Sequence, residues 1–134
     1  MTAAAQLDRV TPYDMIGGVS VIREVVDRFY DLLETDSTYA ELRALHATDL
    51  TPMRPSLSGF LAAWMGGPRD WFEERPGRCM MSAHREISIS PGVAQQWADA
   101  MTAAIASSPV DPGFGAKLAR ALSDLALRMI IHES

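Results

Sequence analysis

Residues 17 to 34 read GGVSVIREVVDRFYDLLE, and this stretch decides the fold class. Apolar residues recur in it at intervals of three and four positions, the spacing that gathers side chains on one face of an α-helix. These residues are Val19, Ile22, Val26, Phe29 and Leu33. Opposite charges four positions apart, Arg23 with Asp27 and Glu24 with Arg28, suit the solvated face. The stretch therefore predicts an amphipathic helix that begins after the glycine pair.

On the C-terminal side, two more helices are predicted before residue 69. A short one starts at Asp36-Ser37 and carries His46 at its end. The next starts either at Thr51-Pro52 or at Pro55, because proline is favoured in the first helical turn. It ends at the second glycine pair, Gly66-Gly67. Its predicted apolar face consists of Leu57, Phe60, Leu61 and Trp64.

Two later dipeptides, Ser90-Pro91 and Asp111-Pro112, each join a capping side chain to a proline and predict the last two long helices. No segment alternates polar and apolar residues between hairpin turns, as half-buried strands do. The fold class predicted is all-α, with roughly six helices and short connections.

Composition limits the class of protein. A length of 134 residues suits one domain, and a net charge of −5 argues against nucleic acid or an anionic membrane surface as a partner. The single cysteine, Cys79, cannot form an internal disulfide, which suits a reducing compartment. No targeting or membrane-spanning pattern is apparent. We expect one cytoplasmic domain over residues 1–134, with residues 1–11 as a flexible N-terminal extension.

The stretch MMSAHREISIS, residues 80 to 90, places His84 among small and apolar side chains. It is either a core histidine or a ligand to something large and apolar. A zinc site could join His84 to Cys79, His46 and His132. However, the spacing between Cys79 and His84 is not that of a recognised zinc half-site. Nucleophile-elbow and phosphate-loop patterns are absent from the sequence. From the residues alone a helical interaction module that binds no cofactor stays open.

Five pieces of sequence together resemble the group II truncated haemoglobins. They are YDMIGG (13–18), DRFYDL (27–32), LRALH (42–46), FLAAWMGGP (60–68), and His84 with Trp97 thirteen residues later. The resemblance covers about residues 12 to 105 in order and spacing. It implies a shortened globin fold, a two-over-two helical arrangement around haem b.

Carried over position by position, the resemblance makes His84 the proximal iron ligand. Tyr30, His46 and Trp97 match the distal positions that hydrogen-bond to the ligand. The implied haem pocket is lined by Phe29, Met53, Leu57, Phe60, Leu61, Met80, Ile87, Ile89 and Met101. Met53 departs from the small residue usual at its position. Ala83 stands just before His84 where the family often has arginine, Arg85 stands just after it, and Glu86-Ile87 replaces the usual Pro-Phe. The propionate partner is accordingly left among Arg54, Arg75, Arg78 and Arg85.

Two functional classes follow from the resemblance. The first is reversible binding of dioxygen, carbon monoxide or nitric oxide, for storage, sensing or oxygen transport. The second is a haem enzyme, a nitric oxide dioxygenase or a peroxidase-like protein. Such an enzyme would depend on an external reductase, since the chain carries no flavin or nicotinamide motif. We expect a monomer or a homodimer.

Overall fold

The computed structural model describes residues 11–46, 48–69, 73 and 89–128. Through these residues the chain is helical and contains no strand, so the all-α prediction is confirmed. A 3-10 turn, Ser37–Tyr39, precedes the third of the six helices found within these ranges. The helices are α1 (Pro12–Ile16), α2 (Val19–Thr35), α3 (Ala40–Ala44), α4 (Met53–Trp64), α5 (Pro91–Ser107) and α6 (Pro112–Arg128).

Helix α2 forms the centre of the fold and packs against both α4 and α5. Four of the five residues of its predicted stripe are buried, and only Val19, at the first position, is exposed. Helix α5 packs extensively against α6. The arrangement is thus two helix pairs, α2 with α4 and α5 with α6, joined through the contact between α2 and α5. Its largest fully buried side chains are Phe29, Ile22, Leu61, Met101, Leu122 and Val26.

Local capping explains where the two long C-terminal helices begin. The Ser90 hydroxyl accepts a hydrogen bond from the Val93 amide at 3.1 Å. The Asp111 carboxylate accepts one from the Phe114 amide at 3.0 Å. Each satisfies an amide that would otherwise have no partner in the first helical turn. Both predicted helix starts are confirmed.

The start of α4 lies between the two predicted positions, at Met53. The amides of Met53 and Arg54 both donate to the Leu50 carbonyl, at 2.9 and 3.3 Å. Pro55 is then the third helical residue. Amides in the first turn have no partner within the helix, so this proline removes no helical hydrogen bond.

Trp64 was predicted on the buried face of α4, and this is wrong, because its side chain is 38% exposed. It is the last residue of the helix. Beyond it the chain turns away through Gly66, which has a φ of 93°, and Met65 takes the buried position. The helical period no longer decides which side chain points inward once the helix has ended.

The two glycine pairs attach α1 to the rest of the fold. Gly17 ends α1 with a φ of 112°, a conformation that favours glycine. A Cβ at Gly67 would run into the ring of Tyr13, so α1 lies closely against the end of α4. There the Tyr13 amide donates to the Met65 carbonyl at 3.0 Å. Thr11, expected to end the N-terminal extension, is instead the N-cap of α1 and forms a capping box.

Among the helices that the structure describes, none is both long and apolar enough to cross a bilayer.

Candidate functional site

Tyr30 lies on the buried side of α2, where its side chain is only 2% exposed. Burial raises the pKa of its hydroxyl from 10.0 to about 12, because the phenolate would lose its hydration there. The positive charge of Arg54 acts in the opposite direction and lowers this pKa by a smaller amount. The hydroxyl is therefore protonated at neutral pH and is able to donate a hydrogen bond.

Phe29 connects two of the predicted distal residues. Its ring centroid lies 4.9 Å from that of Tyr30, edge to face, and 5.5 Å from that of Trp97, tilted at 60°. The Tyr30 and His46 rings also meet edge to face, with centroids 5.9 Å apart. Offset and edge contacts of this kind are the favoured arrangements of aromatic rings. Helices α2 and α5 and the end of α3 thus bring together an aromatic cluster of Trp97, Phe29, Tyr30 and His46.

The orientation of His46 is set by the backbone of its own short helix. Its Nδ1 lies 3.0 Å from the Leu42 carbonyl oxygen. A carbonyl oxygen can only accept, so Nδ1 must carry the proton of this hydrogen bond. In the neutral ring Nε2 then bears a lone pair and is an acceptor. Neutral His46 therefore cannot donate to a bound ligand, whereas it can accept a hydrogen bond.

Apolar side chains surround the aromatic cluster on several sides. From α4, Leu57, Phe60 and Leu61 are buried, and Met101 of α5 is completely so. Ile89, just before α5, is also buried. Met53 differs from these, because it lies in the first turn of α4 and is 36% exposed. Leu57, Phe60, Leu61 and Met101 thus form one buried apolar surface together with Phe29 and Tyr30.

Arg54, one of the four candidate propionate partners, is engaged with α2. Its guanidinium lies 3.1 Å from Asp27, 3.0 Å from Asp31 and 3.5 Å from Glu34. The sequence had suggested Arg23 as the partner of Asp27, but Asp27 binds Arg54 instead. The other predicted pair of this helix, Glu24 with Arg28, is present at 2.7 Å. Asp27, Asp31 and Glu34 follow one another at intervals of four and three on α2, a pattern that could have signalled a shared cation but not its identity.

Several predicted site residues lie outside the described part of the chain. They are His84, Met80, Ile87, Arg75, Arg78 and Arg85. Cys79 and His132, which belonged to the zinc alternative, lie outside it too. Within the described ranges no group of three or more His, Cys, Asp or Glu side chains is placed to hold a metal ion. The described site residues are therefore those predicted for the distal side, contributed by α2, α4, α5 and the end of α3.

The model of the family described as "Bacterial-like globin" matches residues 11–130, nearly the whole chain. The chain belongs to this globin family. Membership implies haem binding, and it implies small gaseous ligands as partners. For this globin the described helices and their order agree with the family resemblance seen in the sequence.

Solved structures place the globin among truncated haemoglobins. A cold-adapted truncated haemoglobin from Pseudoalteromonas haloplanktis TAC125 is 27% identical, with a TM-score of 0.85. That match covers 90% of this chain and 97% of the other. A group II 2-on-2 haemoglobin from Agrobacterium tumefaciens is 26% identical, with a TM-score of 0.84, over 90% of this chain and 93% of its own. The predicted resemblance to group II is confirmed.

A curated relative, a group 1 truncated haemoglobin of Nostoc commune, is 35% identical over 79 residues. That segment is 59% of this globin and spans only 62% of the relative's length. The structural matches cover more of both chains than this relative does. The assignment to group II therefore rests on them.

The residues present fit one side of a haem. A porphyrin has two large apolar faces, whose burial against apolar side chains is favourable. The buried surface of Leu57, Phe60, Leu61 and Met101 offers such an environment. Tyr30, beside it, supplies a protonated donor in a place where an isolated charge would be costly. Both properties suit a haem face on which a small polar ligand binds.

Proposed function

We propose that this globin binds dioxygen and other diatomic ligands reversibly at haem b, with His84 as the proximal iron ligand. One observation carries the proposal. It is the buried, protonated hydroxyl of Tyr30, held in the aromatic cluster beside an apolar surface. A distal donor needs a dry environment of this kind, in which solvent does not compete for its hydrogen bond to the ligand.

When bound, haem iron supplies the reversible coordination of the diatomic molecule. The chain's own residues then decide how long that molecule stays. Tyr30 donates from its hydroxyl, and Trp97 donates from its indole N–H, which has no acceptor function. Leu57 and Phe60 exclude water, so a hydrogen bond to a partially negative ligand is weakened less by competing solvent.

His46 has a different role in this proposal. Because its Nδ1 proton is held on the Leu42 carbonyl, the neutral ring offers only Nε2 toward the cluster. We propose that it orients the Tyr30 side chain through their edge-to-face ring contact, which leaves the Tyr30 hydroxyl and the Trp97 indole N–H to donate to the ligand. His46 would donate directly only after it is protonated.

Haem retention by a His84→Ala variant tests the assignment. The parent protein should bind haem and show a five-coordinate ferrous absorption spectrum with a characteristic Soret band. His84→Ala should lose that spectrum and retain less haem, because the proximal bond is removed.

His132→Ala is the matched control, since it removes another histidine and should leave the spectrum intact. His46→Ala should also remain five-coordinate. Normal haem content with an unchanged ferrous spectrum in His84→Ala would exclude His84 as the ligand. A parent protein without a Soret band would exclude haem binding altogether.

A further inference from the structure

Arg54 is the one residue of α4 whose charged group crosses to the face of α2 that carries Tyr30. Asp27, Tyr30, Asp31 and Glu34 lie at positions i, i+3, i+4 and i+7 of α2, so they share one face of that helix. The Arg54 guanidinium is bound to all three carboxylates of this face. Nη1 of Arg54 also donates a hydrogen bond to the Asp27 backbone carbonyl, at 3.2 Å.

The same guanidinium lies against Tyr30. Its Cζ is 5.8 Å from the centroid of the Tyr30 ring, within the range of a cation–π contact. The three carboxylates are more exposed than Arg54, whose side chain is 25% exposed, and Tyr30 is nearly fully buried. On this side of the fold, the order from solvent inward is carboxylates, guanidinium and tyrosine ring.

The first turn of α4 is tied to the preceding loop through the Leu50 carbonyl, which accepts hydrogen bonds from the Met53 and Arg54 amides. The N-cap position of α4 is Pro52, which makes no side-chain capping hydrogen bond. Met53, in the same turn, is 36% exposed. Leu57 follows Arg54 by three residues on the same side of α4 and belongs to the buried surface next to the aromatic cluster. Movement of this turn away from α2 would therefore open the region beside Tyr30.

We propose that Arg54 is a positioning residue that fastens the first turn of α4 over Tyr30 and thereby limits the entry and escape of small ligands. This proposal rests on the proposed function. Lysine is a poor substitute in this role, because a single ammonium cannot reach several carboxylates and a carbonyl in the planar arrangement of a guanidinium.

The test uses the full chain loaded with haem. Arg54→Met keeps a long aliphatic side chain and removes the guanidinium. Arg54→Lys keeps the positive charge but removes the planar guanidinium. The matched control is Arg28→Met, which removes a guanidinium from an ion pair with Glu24 on α2 and from a 3.4 Å hydrogen bond to the Ser107 hydroxyl of α5, neither of which involves α4. Carbon monoxide is released by a light flash, and its bimolecular recombination is followed. Amide hydrogen exchange in α4 is measured in parallel, because it reports local opening directly.

Ion pairs of this exposure each shift a local equilibrium by up to about fivefold, and Arg54→Met removes three of them. We expect Arg54→Met to speed both carbon monoxide recombination and exchange in the first turn of α4 by about fivefold. Arg54→Lys should fall between Arg54→Met and the parent, and Arg28→Met should match the parent.

Faster amide exchange in Arg54→Met without faster carbon monoxide recombination would overturn the role of Arg54 in limiting ligand entry and escape. The proposed function of the globin would be unaffected. Unchanged exchange in Arg54→Met would overturn the fastening role as well. A parent protein that gives no carbon monoxide difference spectrum would overturn the proposed function, and this proposal with it.

Discussion

Replacing Tyr30 by phenylalanine removes one hydroxyl and preserves the ring that packs edge to face on Phe29. The rise in the pKa of Tyr30 from 10.0 to about 12 means that its surroundings disfavour the phenolate by roughly 3 kcal/mol relative to water. An environment this poorly hydrated strengthens a hydrogen bond donated to a partially negative ligand. Such a bond contributes about 1–3 kcal/mol. Its loss should raise the dissociation rate of dioxygen by roughly 5- to 150-fold, at about 1.4 kcal/mol per factor of ten.

The assay is stopped-flow dissociation of dioxygen from the ferrous haem-loaded protein, with carbon monoxide or dithionite as the trap. Tyr39→Phe is the control, because Tyr39 is also buried but lies in the 3-10 turn, outside the aromatic cluster. Tyr39→Phe should dissociate dioxygen at the parental rate, and both variants should retain haem. A dissociation rate of Tyr30→Phe within twofold of the parent would refute the reasoning and leave Tyr30 with a packing role only.

Trp97→Phe keeps an aromatic ring next to Phe29 but deletes the indole donor, so dioxygen dissociation measured by stopped flow should rise by roughly 5- to 150-fold. An unchanged rate would mean that Trp97 only packs. Gly67→Ala places a methyl group against the ring of Tyr13. It should lower the free energy of unfolding in urea by about 1–3 kcal/mol, with Gly113→Ala as the milder control. Between pH 10 and 12 the folded protein keeps the Tyr30 proton that the unfolded chain releases, so stability should fall as pH rises through this window. The parent and Tyr30→Phe should differ in the slope of that decline, and parallel urea midpoints across the window would contradict the raised pKa.

The features best predicted from the sequence are those determined by a few neighbouring residues. The stripe on α2 follows from helical spacing, and the starts at Ser90-Pro91 and Asp111-Pro112 follow from capping chemistry. The glycine pairs were also located correctly, and the structure adds their reason, since Gly67 is needed where Tyr13 packs. Each of these is a local rule that the rest of the fold does not override.

Features that depend on contacts between helices were harder to predict. Asp27 can pair with Arg23 within its helix, yet it binds Arg54 of α4, which reaches two further carboxylates of the same face. Local charge spacing cannot anticipate a competing cation that approaches from another helix. In the same way, the spacing that put Trp64 on the apolar face of α4 could not show that the helix would end at that residue.

Among the residues predicted for the distal side, the structure adds which ring nitrogen of His46 faces a hydrogen-bond acceptor. The positions of Tyr30, His46 and Trp97 came from the family resemblance. The tautomer of His46 depends on one carbonyl oxygen, that of Leu42, at 3.0 Å. Backbone geometry of this kind cannot be deduced from residue types.

The attachment of α1 to the end of α4 also bears on the order in which the chain folds. A helix of five residues is too short to persist alone in water, since isolated helices shorter than about 12–15 residues are marginal even for favourable sequences. The hydrogen bond from Tyr13 to Met65 and the ring packing at Gly67 become available only when α4 already ends in its native turn. Bringing α1 against the end of α4 also closes the loop of chain between Tyr13 and Met65. This closure costs conformational entropy before the contact contributes any stability. Helix α1 should therefore form late, after the transition state, so that substitutions at Tyr13 accelerate unfolding and leave the refolding rate nearly unchanged.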